Sequence, residues 1–179
     1  GAYATGRLRI GKRGDFATSP SLGIDFAELL AIQVIDWFEQ LDKENFVNQP
    51  LSLVDIGPGE GDLVRDLINA LERQSPALYK KLEVILIEQN VGMARRQKLT
   101  LQSISDVPIS WKTFDELLEA PVLGIVIAHE LLDALPVERL VYKNNTLFRQ
   151  GVELVEHVSG SSISFVELTL SEEIKSSLE

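Results

Sequence analysis

The chain contains no cysteine and only two histidines, His129 and His157. The first absence excludes disulfides, zinc–thiolate centres and thiol nucleophiles; the second argues against a histidine-rich metal site. No run of about eighteen apolar residues occurs, and the N-terminal stretch lacks a charged-then-apolar secretory pattern, so neither membrane insertion nor a signal peptide is expected. Positive charge is scarce as well. Seventeen Lys and Arg against 27 Asp and Glu leave a net charge of −10, which is unsuited to a broad grip on nucleic acid or an anionic membrane. The one basic cluster, GRLRIGKRG at residues 6–14, has no interleaved aromatics and reads as a solvated or lid-like segment.

What is present suits one core of ordinary domain size, 45% hydrophobic over 179 residues. Residues 1–24, with their GDFATSP cluster, read as an entry segment. A helical pattern follows over residues 25–46, with Phe26, Leu30, Val34, Trp37 and Leu41 on the face expected to be buried. Residues 51–56 are an apolar run short enough for a strand buried on both sides, and Leu63, Val64, Leu67, Ile68 and Leu71 share one face of the helix after it. Next come a second buried strand at LEVILIE, a helix capped by Asn90 with Arg95, Arg96 and Lys98 on its polar face, and a short strand at 109–112. A helical turn at DELLEA and a third strong strand at VLGIVIA complete the series. This alternation predicts an α/β class, a mostly parallel sheet with helices on both faces. Beyond Pro136, segments punctuated by Asn144-Asn145, Gly151 and Gly160 read as antiparallel β-hairpins.

Gly57, Gly59 and Gly61 join the first strand to its helix as G-x-G-x-G. A dinucleotide fingerprint has G-x-G-x-x-G, but Asp62 stands where the third glycine belongs. Asp55, Glu60 and Asp62 crowd the turn with carboxylates, which repel a pyrophosphate and suit S-adenosyl-L-methionine, whose ammonium and sulfonium are cationic. Glu88, ending the second strand, can accept both ribose hydroxyls. Two plainer explanations stand beside these: the glycines serve tight geometry alone, and Asp62 complements the helix dipole.

GDFATSP, DIGPGEGDL, LIE and VIAHELLDALPVERL, in that order over most of residues 1–141, resemble the MidA-like family of S-adenosylmethionine-dependent methyltransferases. Mitochondrial members of that family are protein arginine methyltransferases acting in respiratory complex I assembly. The resemblance implies a Rossmann-like class I methyltransferase fold, with Gly57, Gly59 and Gly61 under the methionine portion of the cofactor and Glu88 at its ribose. It places Gly14, Asp15, Phe16 and Thr18 at the pocket as lining or cover, and His129, Glu130 and Asp133 at the carboxyl end of the third strong strand. His129 stands where the family commonly has Asn. The implied division is a lid over residues 1–24, a cofactor-binding core over 25–137 and a β-rich insertion over 138–179. Because similar proteins run to roughly twice this length, the chain is expected to be incomplete. A bacterial member is expected in the cytoplasm and a eukaryotic one in the mitochondrial matrix.

For a guanidinium acceptor, carboxylates are the natural anchors, because they pair with its planar fork. Glu130 and Asp133, three apart at the start of a presumed short helix, are the leading candidates for catalytic roles, with Asp15 as a third carboxylate. His129 either relays a proton or is simply packed, and Trp111 either stacks on adenine or belongs to the core. Thr18 or Ser19 could equally be a helix cap. The resemblance implies a protein arginine side chain as the substrate. The alternatives are a fold-retaining assembly factor without catalysis, a small-molecule methyltransferase and a nucleotide-dependent oxidoreductase.

Overall fold

The computed structural model describes residues 24–43 and 50–178. Within them the chain divides after Asp133 into two compact units.

The first unit is built on four parallel strands. β1 (Leu51–Ile56), β2 (Leu82–Ile87), β3 (Ile109–Lys112) and β4 (Gly124–Ile127) lie in the order β3-β2-β1-β4. All neighbours run parallel, with Leu53 opposite Val84 on one side and opposite Ile125 on the other. β1 is buried along most of its length because apolar side chains are needed on both faces of a covered sheet. On one face Leu53, Val84 and Leu86 join the main core with α1 (Asp25–Lys43) and α2 (Asp62–Gln74). On the other, Val54, Ile85 and Ile87 meet Leu117 of α5 (Phe114–Glu119). A short α3 (Pro76–Tyr79) precedes β2, and α4 (Val91–Thr100) links β2 to β3. The expected sheet with helices on both faces is present.

Individual helices follow from local chemistry. α2 buries Leu63, Val64, Leu67, Ile68 and Leu71, the five residues expected there. Truncating Leu67, which has no exposed surface, to Ala would cost about 2–5 kcal/mol. Asn90 caps α4 by accepting from the backbone N–H of Gly92 and Met93. Thr113 and Glu116 cap α5 reciprocally. Gly124 permits the β1–β4 contact, since a Cβ there would stand 1.8 Å from the carbonyl oxygen of Ser52.

α1 departs from expectation. Its buried stripe is Ala27, Ala31, Val34 and Phe38, while Phe26, Leu30 and Leu41 are only partly covered. Trp37, expected in the core, is 43% exposed. The stripe is centred one position away from the large residues because small side chains let α1 approach the rest of the core closely.

The second unit is a three-stranded antiparallel sheet, β5 (Leu140–Lys143), β6 (Thr146–His157) and β7 (Gly160–Leu168), followed by α6 (Glu172–Leu178). Asn144 and Asn145 turn β5 into β6 with φ of 50° and 58°. Two consecutive left-handed residues match the twist of a two-residue hairpin, and asparagine tolerates that conformation.

Candidate functional site

The strand order reverses between β1 and β4, so their carboxyl ends flank a crevice where open α/β sheets bind ligands. The glycine turn leaves one of these ends and residues 128–133 leave the other. The loops touch: a Cβ on Gly57 would lie 2.8 Å from Cδ1 of Leu131.

Gly57, Gly59 and Gly61 have φ of 69°, 57° and 86°. Left-handed backbone at three alternate positions explains the glycines, since an L side chain there costs about 1–2 kcal/mol each. Gly57 donates its N–H to the Ile87 carbonyl, and Gly61 donates to that of Pro58. Gly61 is also the N-cap of α2 and supplies no side-chain cap, so the first N–H groups of that helix face the turn without one. Close packing, the usual task of a third glycine, falls to Gly61 against α4, with Gln97 Cα 3.6 Å from where its Cβ would be.

The negative charge expected to crowd the turn is largely neutralised. Glu60 accepts from Arg96 Nη1 at 2.8 Å, and Asp62 accepts from Arg65 Nη1 at 2.7 Å. Asp55 is 3% exposed, and burial pushes its carboxyl up to about 7. Arg65 also bonds Asp66, which holds the guanidinium's proton more firmly. Charge repulsion therefore discriminates against a pyrophosphate less than the bare sequence suggests. Helix arginines that fall outside any glycine motif supply the counter-charges.

Glu88 follows β2 directly. One oxygen accepts from the Asn90 N–H at 2.8 Å and the other from Gln97 Nε2 at 3.1 Å. Both donors are neutral, so its charge is oriented without being cancelled. Gln97 was missed by sequence reasoning. It is fully buried in α4, its Nε2 also donates to the Gly59 carbonyl at 2.9 Å, and its Oε1 accepts from Trp111 Nε1 at 2.9 Å. The available signal was its position four residues after Met93 and four before Leu101, both buried. Trp111, at the end of this chain of bonds, has Lys98 Nζ 5.0 Å from its ring centroid, so one aromatic face is already covered.

Beyond β4, His129 packs edge-on against Phe26 with centroids 5.3 Å apart, and its Nε2 is 3.9 Å from Glu130 Oε1, too long for a hydrogen bond. Glu130 and Asp133 do not share a helical face. Glu130 sits in a turn with φ of 50°, and Asp133 lies in a one-turn 3₁₀ helix, Leu132–Ala134. Both are exposed. A side chain held at positive φ outside glycine is uncommon and marks a constrained loop. The structure thus brings Asp55, Gly57, Gly59, Gly61, Glu88 and Trp111 into one neighbourhood, with His129 and Glu130 on the adjoining loop. Gly14, Asp15, Phe16 and Thr18 lie outside the described residues. Among the described residues, no group of three metal-ligating side chains occurs and no helix is long and apolar enough to cross a membrane.

A parallel sheet with a bare glycine turn at its reversal point and an acid ending the second strand defines a Rossmann-like α/β fold. Over residues 29–179 the chain matches the family described as putative S-adenosyl-L-methionine-dependent methyltransferase, and it belongs to that family. It is 30% identical over 158 residues to the human mitochondrial protein arginine methyltransferase NDUFAF7, covering 76% of this chain and 34% of the human protein. The mitochondrial homologue of Drosophila melanogaster is 28% identical over 154 residues, covering 77% and 34% respectively. The chain therefore spans about a third of the length of the curated relatives it matches. A crystal structure of a Burkholderia thailandensis protein bound to S-adenosyl-homocysteine shares the fold, with TM-score 0.63 and 23% identity over 96% of this chain and 42% of that one.

Proposed function

We propose that this chain forms the cofactor-binding part of an S-adenosyl-L-methionine-dependent methyltransferase whose acceptor is a protein arginine side chain. The observation that carries the reading is the left-handed glycine turn beside an oriented, charge-retaining Glu88. The residues fit the cofactor. The turn offers main chain without side chains, and each Glu88 oxygen keeps acceptor capacity after its one N–H contact. Asp55 and Gly57, Gly59 and Gly61 hold the amino-acid end, Glu88 the ribose, and Trp111 the adenine edge.

Bound there, the cofactor supplies a methyl group already activated on a sulfonium, so positioning accounts for most of the rate. This chain's task is to hold the acceptor nitrogen in line. Glu130 and Asp133, exposed on the loop beside the turn, offer carboxylates to a guanidinium fork. His129 is held in orientation by Phe26. Gly14, Asp15, Phe16 and Thr18 are assigned to the pocket mouth on the family resemblance. The similarity to mitochondrial protein arginine methyltransferases supports arginine as acceptor and a mitochondrial setting for eukaryotic members. A link to respiratory complex assembly rests on the family resemblance.

The test is transfer of labelled methyl from S-adenosylmethionine to arginine-containing protein, followed by amino-acid analysis. Label recovered as methylarginine supports the proposal. Cofactor binding with no label in any acceptor favours a fold-retaining assembly factor, and label confined to small molecules overturns the arginine assignment.

A further inference from the structure

Resting on the cofactor reading above, we propose that Gln97 is a positioning residue of the same site. Its buried amide fixes the Glu88 carboxylate so that one acceptor position on each oxygen stays open for a vicinal diol. Glu88 receives one N–H on each oxygen, from Asn90 and from Gln97. A carboxylate oxygen offers about two acceptor positions. One remains on each, the number that the two hydroxyls of a ribose require.

Hydrogen-bond chemistry assigns the orientation of the amide. The Trp111 indole nitrogen can only donate, so the Gln97 atom facing it is the oxygen. The NH₂ group then faces the Gly59 carbonyl and Glu88, both acceptors, and each of its protons has a partner. The same side chain thereby ties together the glycine turn, the ribose acid and the indole at the adenine edge. Other residue types fail at this position for separate reasons. Leucine would leave the Gly59 carbonyl and the Trp111 N–H without these bonds, and a lysine would neutralise the charge that Glu88 presents. A neutral double donor orients the carboxylate and preserves its charge.

Calorimetric titration of the chain with S-adenosylhomocysteine and with its 2′-deoxyribose counterpart tests the idea. The parent chain should bind the deoxy ligand about tenfold more weakly or worse, as expected for losing a hydrogen bond to a charged group. Gln97→Met should bind S-adenosylhomocysteine about tenfold more weakly than the parent, and its deoxy penalty should shrink to under about threefold, because the diol acceptor is no longer held. A variant that keeps the parent's full deoxy penalty overturns the role of Gln97 and leaves the cofactor reading standing. A parent chain that binds neither ligand overturns both.

If circular dichroism shows Gln97→Met to be unfolded, nuclear magnetic resonance of the parent chain decides. The Gln97 NH₂ resonances should shift with S-adenosylhomocysteine and shift less with the deoxy ligand. Gln97 resonances unmoved by bound ligand overturn the proposal.

Discussion

Arg96 Nη1 lies 2.8 Å from Glu60 Oε1, so a cation of α4 sits against the acid at the centre of the glycine turn. The next residue, Gln97, binds the Gly59 carbonyl. Two consecutive side chains of one helix thus clamp two consecutive residues of the turn, and the turn's charge is set by the pair rather than by Glu60 alone. Replacing Glu60 with Gln removes the acid and leaves the guanidinium. S-adenosylmethionine, with its sulfonium, should then lose about two- to fivefold in affinity relative to uncharged-sulfur S-adenosylhomocysteine. Stability should change by less than about 1 kcal/mol, because both partners are partly solvated. Parallel titrations of the two ligands read the ratio.

Asp55 gives the fold a pH dependence whose sign can be worked out. Its carboxyl titrates near 7 in the folded chain and near 3.9 when unfolded. Between those values the folded state holds a proton that the unfolded state has released. Stability should therefore fall as pH rises from about 4 to 7, and level off above, by roughly 4 kcal/mol at most. Glu28 and Glu116 act at lower pH and in the opposite sense, since hydrogen bonds hold their carboxyls below the usual range. Asp55→Asn should flatten the slope between pH 4 and 7, as read from urea midpoints of the two proteins.

Gly57→Ala and Gly61→Ala should each destabilise the fold by about 1–2 kcal/mol through the left-handed backbone alone. Gly57→Ala also presses on Leu131 of the neighbouring loop, though only on its movable end. Thermal unfolding of both variants measures the cost.

Replacing Glu130 and Asp133 together by Ala should cut methyl transfer at least about tenfold while leaving cofactor affinity within about threefold. Equal losses in both would mean that these residues support the cofactor pocket rather than the acceptor.

Much of this was legible in the residues. β1, β2 and α2 announce themselves by apolar runs and by one periodic face, and Asn90 caps the helix that its type predicts. Trp37 misleads because its spacing from Phe26, Leu30 and Val34 fits one helical face, whereas α1 docks through Ala27 and Ala31. Gln97 was invisible for the converse reason. A polar residue among Arg95, Arg96 and Lys98 reads as solvent face, and only the tertiary partners Gly59, Glu88 and Trp111 make it core. The pairing of Glu60 with Arg96 spans 36 residues and leaves no local trace. Glu130 and Asp133 have the spacing that would share a face of a short helix, but the left-handed backbone at Glu130 turns the chain first.

The measurement that bears most directly on the central claim is a paired calorimetric titration of the chain with S-adenosylmethionine and with NADH, repeated on Glu88→Ala. The account predicts binding of the methyl donor, no binding of the dinucleotide, and a loss of about tenfold or more for the donor in the variant. NADH binding at the turn, or S-adenosylmethionine affinity unchanged by removal of Glu88, would contradict it.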